Sequence, residues 1–198
     1  MQFTVQAAIP FLTALCFAGL AVLVWVRAKR RDVGTRLTAY LVLMAAWSLS
    51  SSMMHAGLAP GQTVWWNRIV IALAVCYALL YYHFIHTYLG HAGLDGWLRV
   101  GYALAGPVVA YTLLGDVVRH AELVDGGFRT QFGAGLYAVV TPYALVFQVL
   151  VAYILVAQYR RTRDEMPAIE SEIDDALAEG VEIAYLAAPV SIGRAGAK

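Results

Sequence analysis

The sequence predicts an all-α integral membrane bundle of about five transmembrane helices, N-terminus outside and C-terminus inside, ending in a short cytoplasmic tail of α/β-like or disordered character. Two observations carry this. The chain has 198 residues, 61% hydrophobic and 14% charged, whereas a globular domain carries roughly 45–50% apolar and ~25% charged residues. The surplus also lies in long apolar runs, as it does when lipid replaces water as the solvent. With a formal net charge of +1, no strongly basic face is offered to nucleic acid.

A bilayer core of ~30 Å needs about 20 apolar residues at 1.5 Å rise each. Five stretches meet that length, at about 5–26, 37–56, 64–89, 98–117 and 134–159. The first, Ala7 to Val26, is too long for the apolar region of a signal peptide, and its basic cluster follows the run instead of preceding it. It therefore reads as a spanning helix. The third and fifth are long enough to tilt or to protrude into the interface. Cys16 and Cys76 sit inside apolar runs without ligand spacing and read as buried thiols.

Orientation follows the Lys and Arg residues. The first loop, Arg27 to Arg36, holds five of them, Arg99 adds one, and Arg160, Arg161 and Arg163 follow the last helix. With the N-terminus outside, all nine fall on the cytoplasmic side, against three (Arg68, Arg119 and Arg129) on the other. Trp65 and Trp66 then open the third helix at the outer interface. Tyr81, Tyr82 and Tyr88 close it at the inner one, with Trp25 and Trp97 as further inner anchors. Arg68 is close enough to the outer end to snorkel.

The segment Asp116 to Phe132 is the sizeable outer loop, with a Gly126-Gly127 turn. It reads as a solvated connection, or as a lid over an outer cavity where a ligand is sensed. The ligand-sensing candidates are Trp66, Arg68, Asp116, Arg119 and His120. From Arg160 the composition changes: residues 164–182 hold eight of the thirteen acidic residues. Glu165 to Glu179 suits a short amphipathic helix and Val181 to Leu186 alternates like a strand. The expected division is a transmembrane domain over 1–160 and a polar tail over 161–198.

His83 and His86, at i and i+3, share a helix face. They read as hydrogen-bonding histidines near the inner interface. His55 lies ~20–25 Å away in depth, and no Asp or Glu is expected at the level of His83 and His86, so no metal or haem site is assigned. Helix interiors offer Asn67, Gln148, Thr112, Thr141 and the serines from Ser48 to Ser52 as interhelical hydrogen-bonding groups. A proton-coupled transporter would carry Asp, Glu or Lys at mid-helix, and none stands there. No Gly-rich phosphate loop, GxSxG or HExxH occurs. The expectation is a protein that is not an enzyme and carries no cofactor.

Several short motifs resemble a known region. Arg27 to Arg36 leads into Ala46-Trp47-Ser48; Trp65-Trp66-Asn67-Arg68 opens a helix ending in Phe84-Ile85-His86-Thr87-Tyr88-Leu89-Gly90; and the last helix ends in Tyr159-Arg160-Arg161. Over about residues 5–161 this looks like the N-terminal seven-helix (7TM) sensor region ahead of bacterial histidine kinases and diguanylate cyclases. The resemblance implies a membrane input module in a two-component system. Its expected partners are the lipid bilayer, a second copy in a homodimer and, in full-length relatives, a cytoplasmic kinase or other output domain; nucleic acid is not among them. The family continues with two more helices and a kinase domain, so this chain is expected to be truncated and incapable of phosphotransfer. Its expected place is the inner (cytoplasmic) membrane. Residues 159–192, with Ala176-Leu177-Ala178-Glu179-Gly180-Val181 and Ala188-Pro189-Val190, are similar to a fragment of the glutamate-synthase small-subunit type of FAD/NAD(P) oxidoreductase. The Gly-rich cofactor fingerprints of that family are absent. A join of a sensor region to a foreign fragment by truncation, fusion or assembly error is one account of the tail; coincidental similarity is the other. A small carrier or channel subunit acting as an oligomer is the alternative function.

Overall fold

The structure, a computed structural model, describes residues 5–56, 62–91, 93–124 and 127–164. The expectations for the tail beyond Asp164 lie outside the described residues. Five helices are long and apolar enough to cross a membrane. They are α1 (Val5–Arg27), α2 (Arg31–His55), α3 (Thr63–Tyr88), α4 (Gly96–Leu114) and α5 (Thr141–Asp164), the last preceded by a π-helical turn at Leu136–Val140. Between α4 and that turn stands an antiparallel hairpin, β1 (Val118–Val124) paired with β2 (Gly127–Phe132). The chain divides into two compact units, Met1–Ile154 and Leu155–Lys198.

Two expected connections take a definite form. The basic first loop is not ten residues long. It is only the short link between α1 and α2, because α2 begins at Arg31, six residues before the apolar run. Arginine is a good helix former, so the helix continues where the apolar run stops. The segment after α4, expected as a solvated connection or a lid, is built as two paired strands. It is a hairpin whose base is deeply buried, with Val117 and Val118 at 0% exposure. The ladder is irregular between Val118 and His120, which leaves Arg119 as the extra residue of a bulge.

α1 and α2 pack through small residues. Ala7, Ala14 and Ala21 are the buried positions of α1, and Gly34, Leu41 and Ser48 recur at the same spacing of seven on α2. A repeat of seven keeps one narrow stripe facing a neighbour, and small side chains let the backbones approach where lipid offers no hydrophobic drive to associate. The Ser52 hydroxyl donates to the Ala7 carbonyl at 2.7 Å, joining the two helices.

α3 is the central element. It packs against α2, α4 and the hairpin, and its Val75, Leu79 and Tyr82 form one core with Leu98 of α4 and Tyr143, Phe147 and Val151 of α5. Gly101 makes this junction possible, since a Cβ there would stand 2.5 Å from Phe147 and 2.6 Å from Leu79. The Tyr143 hydroxyl donates to the Gly101 carbonyl at 3.0 Å, and Gln148 Nε2 donates to the Tyr77 hydroxyl at 3.0 Å. The π turn precedes Pro142, which lacks the N–H that an α-helix would need at that point.

The expected interhelical polar residues divide into two groups. Gln148 and Ser52 do join helices. Thr112, Asn67 and Ser50 instead donate to carbonyls four residues back in their own helices. Of the expected anchors, Trp25, Trp65, Trp97 and Tyr88 point outward, but Tyr82 is 2% exposed and belongs to the core. Cys16 faces outward on α1 and Cys76 is half-buried, so neither is the fully buried thiol expected from the sequence.

Candidate functional site

Polar chemistry gathers at the two ends of α3. At the hairpin end, α4 stops at Gly115 and the chain turns into β1. Gly133 and Gly135, just past β2, return their amides to the Val117 and Asp116 carbonyls at 3.0 and 3.1 Å. A side chain at Gly133 would collide with the Asp116 carbonyl. Into this turn reaches Arg68 from the first turns of α3. Its Nη1 donates to the Leu113 carbonyl at 2.8 Å and its Nη2 to the Val118 carbonyl at 3.0 Å. One guanidinium therefore ties α3, the end of α4 and the first residue of β1 together. Arg68 does not snorkel to solvent, because free carbonyls at the end of α4 and the start of β1 supply the acceptors it would otherwise seek in water.

Beside this clamp, Arg119 holds Asp116 in a two-pronged contact, Nε to Oδ1 at 2.8 Å and Nη2 to Oδ2 at 2.7 Å. The Arg119 fork, with the charge of Arg68 adding to it, keeps the Asp116 carboxyl below its ordinary range. The same pair raises Arg119. Both side chains are exposed, so solvent screens the pair. His120 stands 3.6 Å from Glu122, and Arg129 is 4.0 Å from the same carboxylate across the strands. Trp66 lies half-buried, its indole N–H buried without a hydrogen-bond partner. Of the five sensing candidates, the structure thus brings Arg68, Asp116 and Arg119 to one turn. His120 stands farther out on β1, and among the described residues no hydrogen bond joins Trp66 to the others.

The opposite end of α3 carries a polar junction that sequence reasoning only half found. His83 and His86 are buried within the bundle, at 3% and 6% exposure. His83 Nδ1 pairs with the Tyr102 hydroxyl of α4 at 2.7 Å. Asp95, the residue before α4, caps that helix by accepting from the Leu98 amide at 2.7 Å. Its other oxygen accepts from the Tyr82 hydroxyl at 2.7 Å and lies 3.5 Å from His86 Nε2. The expected absence of a carboxylate at this level is therefore wrong: the loop after α3 folds Asp95 back onto the helix. Partial burial works to raise the Asp95 carboxyl. The Leu98 amide, the Tyr82 hydroxyl and His86 outweigh it, and the carboxyl lies below its ordinary value. The His91 ring lies tilted against His86 at a centroid separation of 4.8 Å, and the buried Nδ1 of His86 has no hydrogen-bond partner among the described residues. Among the described residues, no group of three or more His, Cys, Asp or Glu side chains is placed to hold a metal ion.

Midway along α3, Tyr77 and Tyr81 meet Tyr40 of α2 in tilted ring contacts at centroid separations of 5.9 and 5.5 Å. Tyr40 and Tyr77 also line a groove of about 260 Å³ with Met44 and Trp47. No family model, curated protein or solved structure matches the chain.

Proposed function

We propose that this chain is a membrane-embedded sensory input module of the kind found ahead of histidine kinases, set in the inner membrane with its N-terminus outside and its C-terminus in the cytoplasm. The observation that carries the reading is the Arg68 clamp. A hairpin outside the helices, suited to meeting a stimulus, is bonded directly to a helix that runs to a second polar junction at its other end. Arg68 and His86 are eighteen residues apart, roughly 27 Å along a helix of 1.5 Å rise. A ligand that favours one seating of the hairpin over another shifts α3 between two packings, provided its affinity for them differs. Asp116 and Arg119 are the groups at the hairpin base with charge to offer such a ligand, and His120 and Trp66 flank them. A second copy of the chain and a cytoplasmic output domain are the partners this reading requires. The excess of Lys and Arg on the side opposite the hairpin supports the orientation.

Two measurements test the proposal on the full chain with Cys16 and Cys76 replaced. A single cysteine at Arg129 should react with a membrane-impermeant maleimide on intact cells. Spin labels at Val100 and Tyr153 should change their distance distribution when Arg68 is replaced by Met. Protection of the hairpin cysteine would overturn the orientation. Identical distributions in the two proteins would sink the coupling from hairpin to helix. Solute flux through proteoliposomes would instead favour a carrier or channel.

A further inference from the structure

The link between α1 and α2 encloses a feature that the sensory reading does not use. An open cavity of about 440 Å³ lies over the turn. Its floor is apolar, made by Leu23 and Val24 of α1 with Val33 and Leu37 of α2, and its rim carries Arg27, Lys29 and Arg30. The turn is tight because Gly34 sits against the Ala28 methyl, where any Cβ would overlap it. This leaves the three cations close together instead of spread along a loop. Among the described residues neither Arg27 nor Lys29 has a carboxylate within ion-pair distance; Arg30 is shared with Asp32 at 3.3 Å. Arg30, the residue before α2, makes no side-chain cap, and the Asp32 carboxylate accepts from the Val33 amide in the first turn of the helix.

The geometry points to a binding site for one anionic phospholipid, its phosphate held by Arg27 and Lys29 and an acyl chain laid along the apolar floor. The site joins cations at the end of two candidate spans to an apolar floor continuous with them, as a phosphate ester carrying a chain requires, whereas a free anion would have no use for the floor. Basic pockets between membrane helices at the headgroup level recognise such lipids. Asp32 is the opposing charge beside the cavity and limits what Arg30 contributes. The inference rests on α1 and α2 spanning a bilayer but not on any sensory role.

The test is native mass spectrometry of the full chain titrated with palmitoyl-oleoyl phosphatidylglycerol, with phosphatidylcholine of the same chains, and with chain-free glycerophosphoglycerol. One phosphatidylglycerol should be retained. Two unpaired cations at roughly five-fold each give a preference over phosphatidylcholine of roughly 30-fold. Arg27→Gln should lower it about five-fold. Arg99→Gln, a matched loss of charge at the same end of the helices but outside the cavity, should leave it within about two-fold. Asp32→Asn should raise it by releasing Arg30. Equal binding of the two lipids, or an equal effect of Arg27→Gln and Arg99→Gln, would overturn the site. Binding of chain-free glycerophosphoglycerol as tight as that of the lipid would refute a lipid occupant in favour of a simple anion site.

Discussion

Replacing Arg68 with Met removes the clamp at the hairpin end while keeping most of the side-chain volume. Two charge-assisted hydrogen bonds are lost, to the Leu113 and Val118 carbonyls, each worth ~1.5–3 kcal/mol. Against that loss, Arg68 Nε is buried without a partner, and deleting an orphaned donor returns ~1–3 kcal/mol. The balance is a destabilisation of about 2–3 kcal/mol. It falls on the seam between hairpin and helices, because both acceptors lie there. Arg68→Lys keeps the charge but not the fork, so one ammonium must serve two carbonyls, and the loss should be about half as large.

The assay is amide hydrogen exchange in lipid nanodiscs. The Gly133 and Gly135 amides, bonded to the Val117 and Asp116 carbonyls, should exchange roughly 30–150-fold faster in Arg68→Met, the population equivalent of 2–3 kcal/mol. Amides at the middle of α1 should keep their wild-type protection, since the helix lies away from the clamp. Unchanged exchange at Gly133 would refute the clamp. Uniformly faster exchange along all the helices would mean that Arg68 supports the whole fold and not the seam.

Gly101→Ala should destabilise the α3–α4–α5 junction by ~1–3 kcal/mol through overpacking on Phe147 and Leu79, and adding Phe147→Leu should recover part of the loss in thermal melts. Asp95→Ala removes a helix cap and leaves the Tyr82 hydroxyl unpaired, at a cost of ~2–3 kcal/mol by chemical denaturation; Asp95→Asn keeps an acceptor for the Leu98 amide and should cost less. The Asp95 carboxyl is lowered from its ordinary value of 3.8, so its contribution is complete above that pH and drains away as pH falls through the folded value. A pH series on Asp95→Asn should lack that acid limb. Ser52→Ala breaks the bond to the Ala7 carbonyl and should cost only about 0.6 kcal/mol, the usual scale of such bonds between membrane helices.

Apolar run length located α1 and α3 within a residue or two, 5–26 against Val5–Arg27 and 64–89 against Thr63–Tyr88. The start of α2 was misread because Arg31 to Arg36 mark where a lipid phase ends, which is a different boundary from where hydrogen-bonded backbone ends. The hairpin left one clear signal, the adjacent glycines Gly126 and Gly127, the second of which opens β2. His120 to Leu123 alternates polar and apolar, but Arg129-Thr130-Gln131 on the other strand does not, so a strand period shows on one side only. The Asp95 cap follows a familiar local pattern, an Asp accepting from the amide three residues on. Its partnership with Tyr82, thirteen residues back across a turn, has no sequence period at all. Arg68 is the extreme case. Its acceptors are main-chain carbonyls 45 and 50 residues away, and a carbonyl leaves no mark on residue type.

These polar contacts matter more than their number suggests because of the solvent in which the helices are read to pack. Lipid tails are as apolar as Leu, so burying Leu79 or Val75 against a neighbour gains close packing but little hydrophobic free energy. Apolar surfaces alone then tolerate several rotations and sliding positions of α3 at similar energy. The directional bonds discriminate among them. Arg68 sets one end against α4 and the hairpin, Tyr77 with Gln148 sets the middle against α5, and Tyr82, His83 and His86 set the far end against α4 and its cap. A helix pinned at separate heights by bonds of modest strength has few alternative positions, each reached by exchanging one pin. If the proposed sensory function holds, removing one pin is expected to shift the register of α3 against its neighbours while the other pins hold.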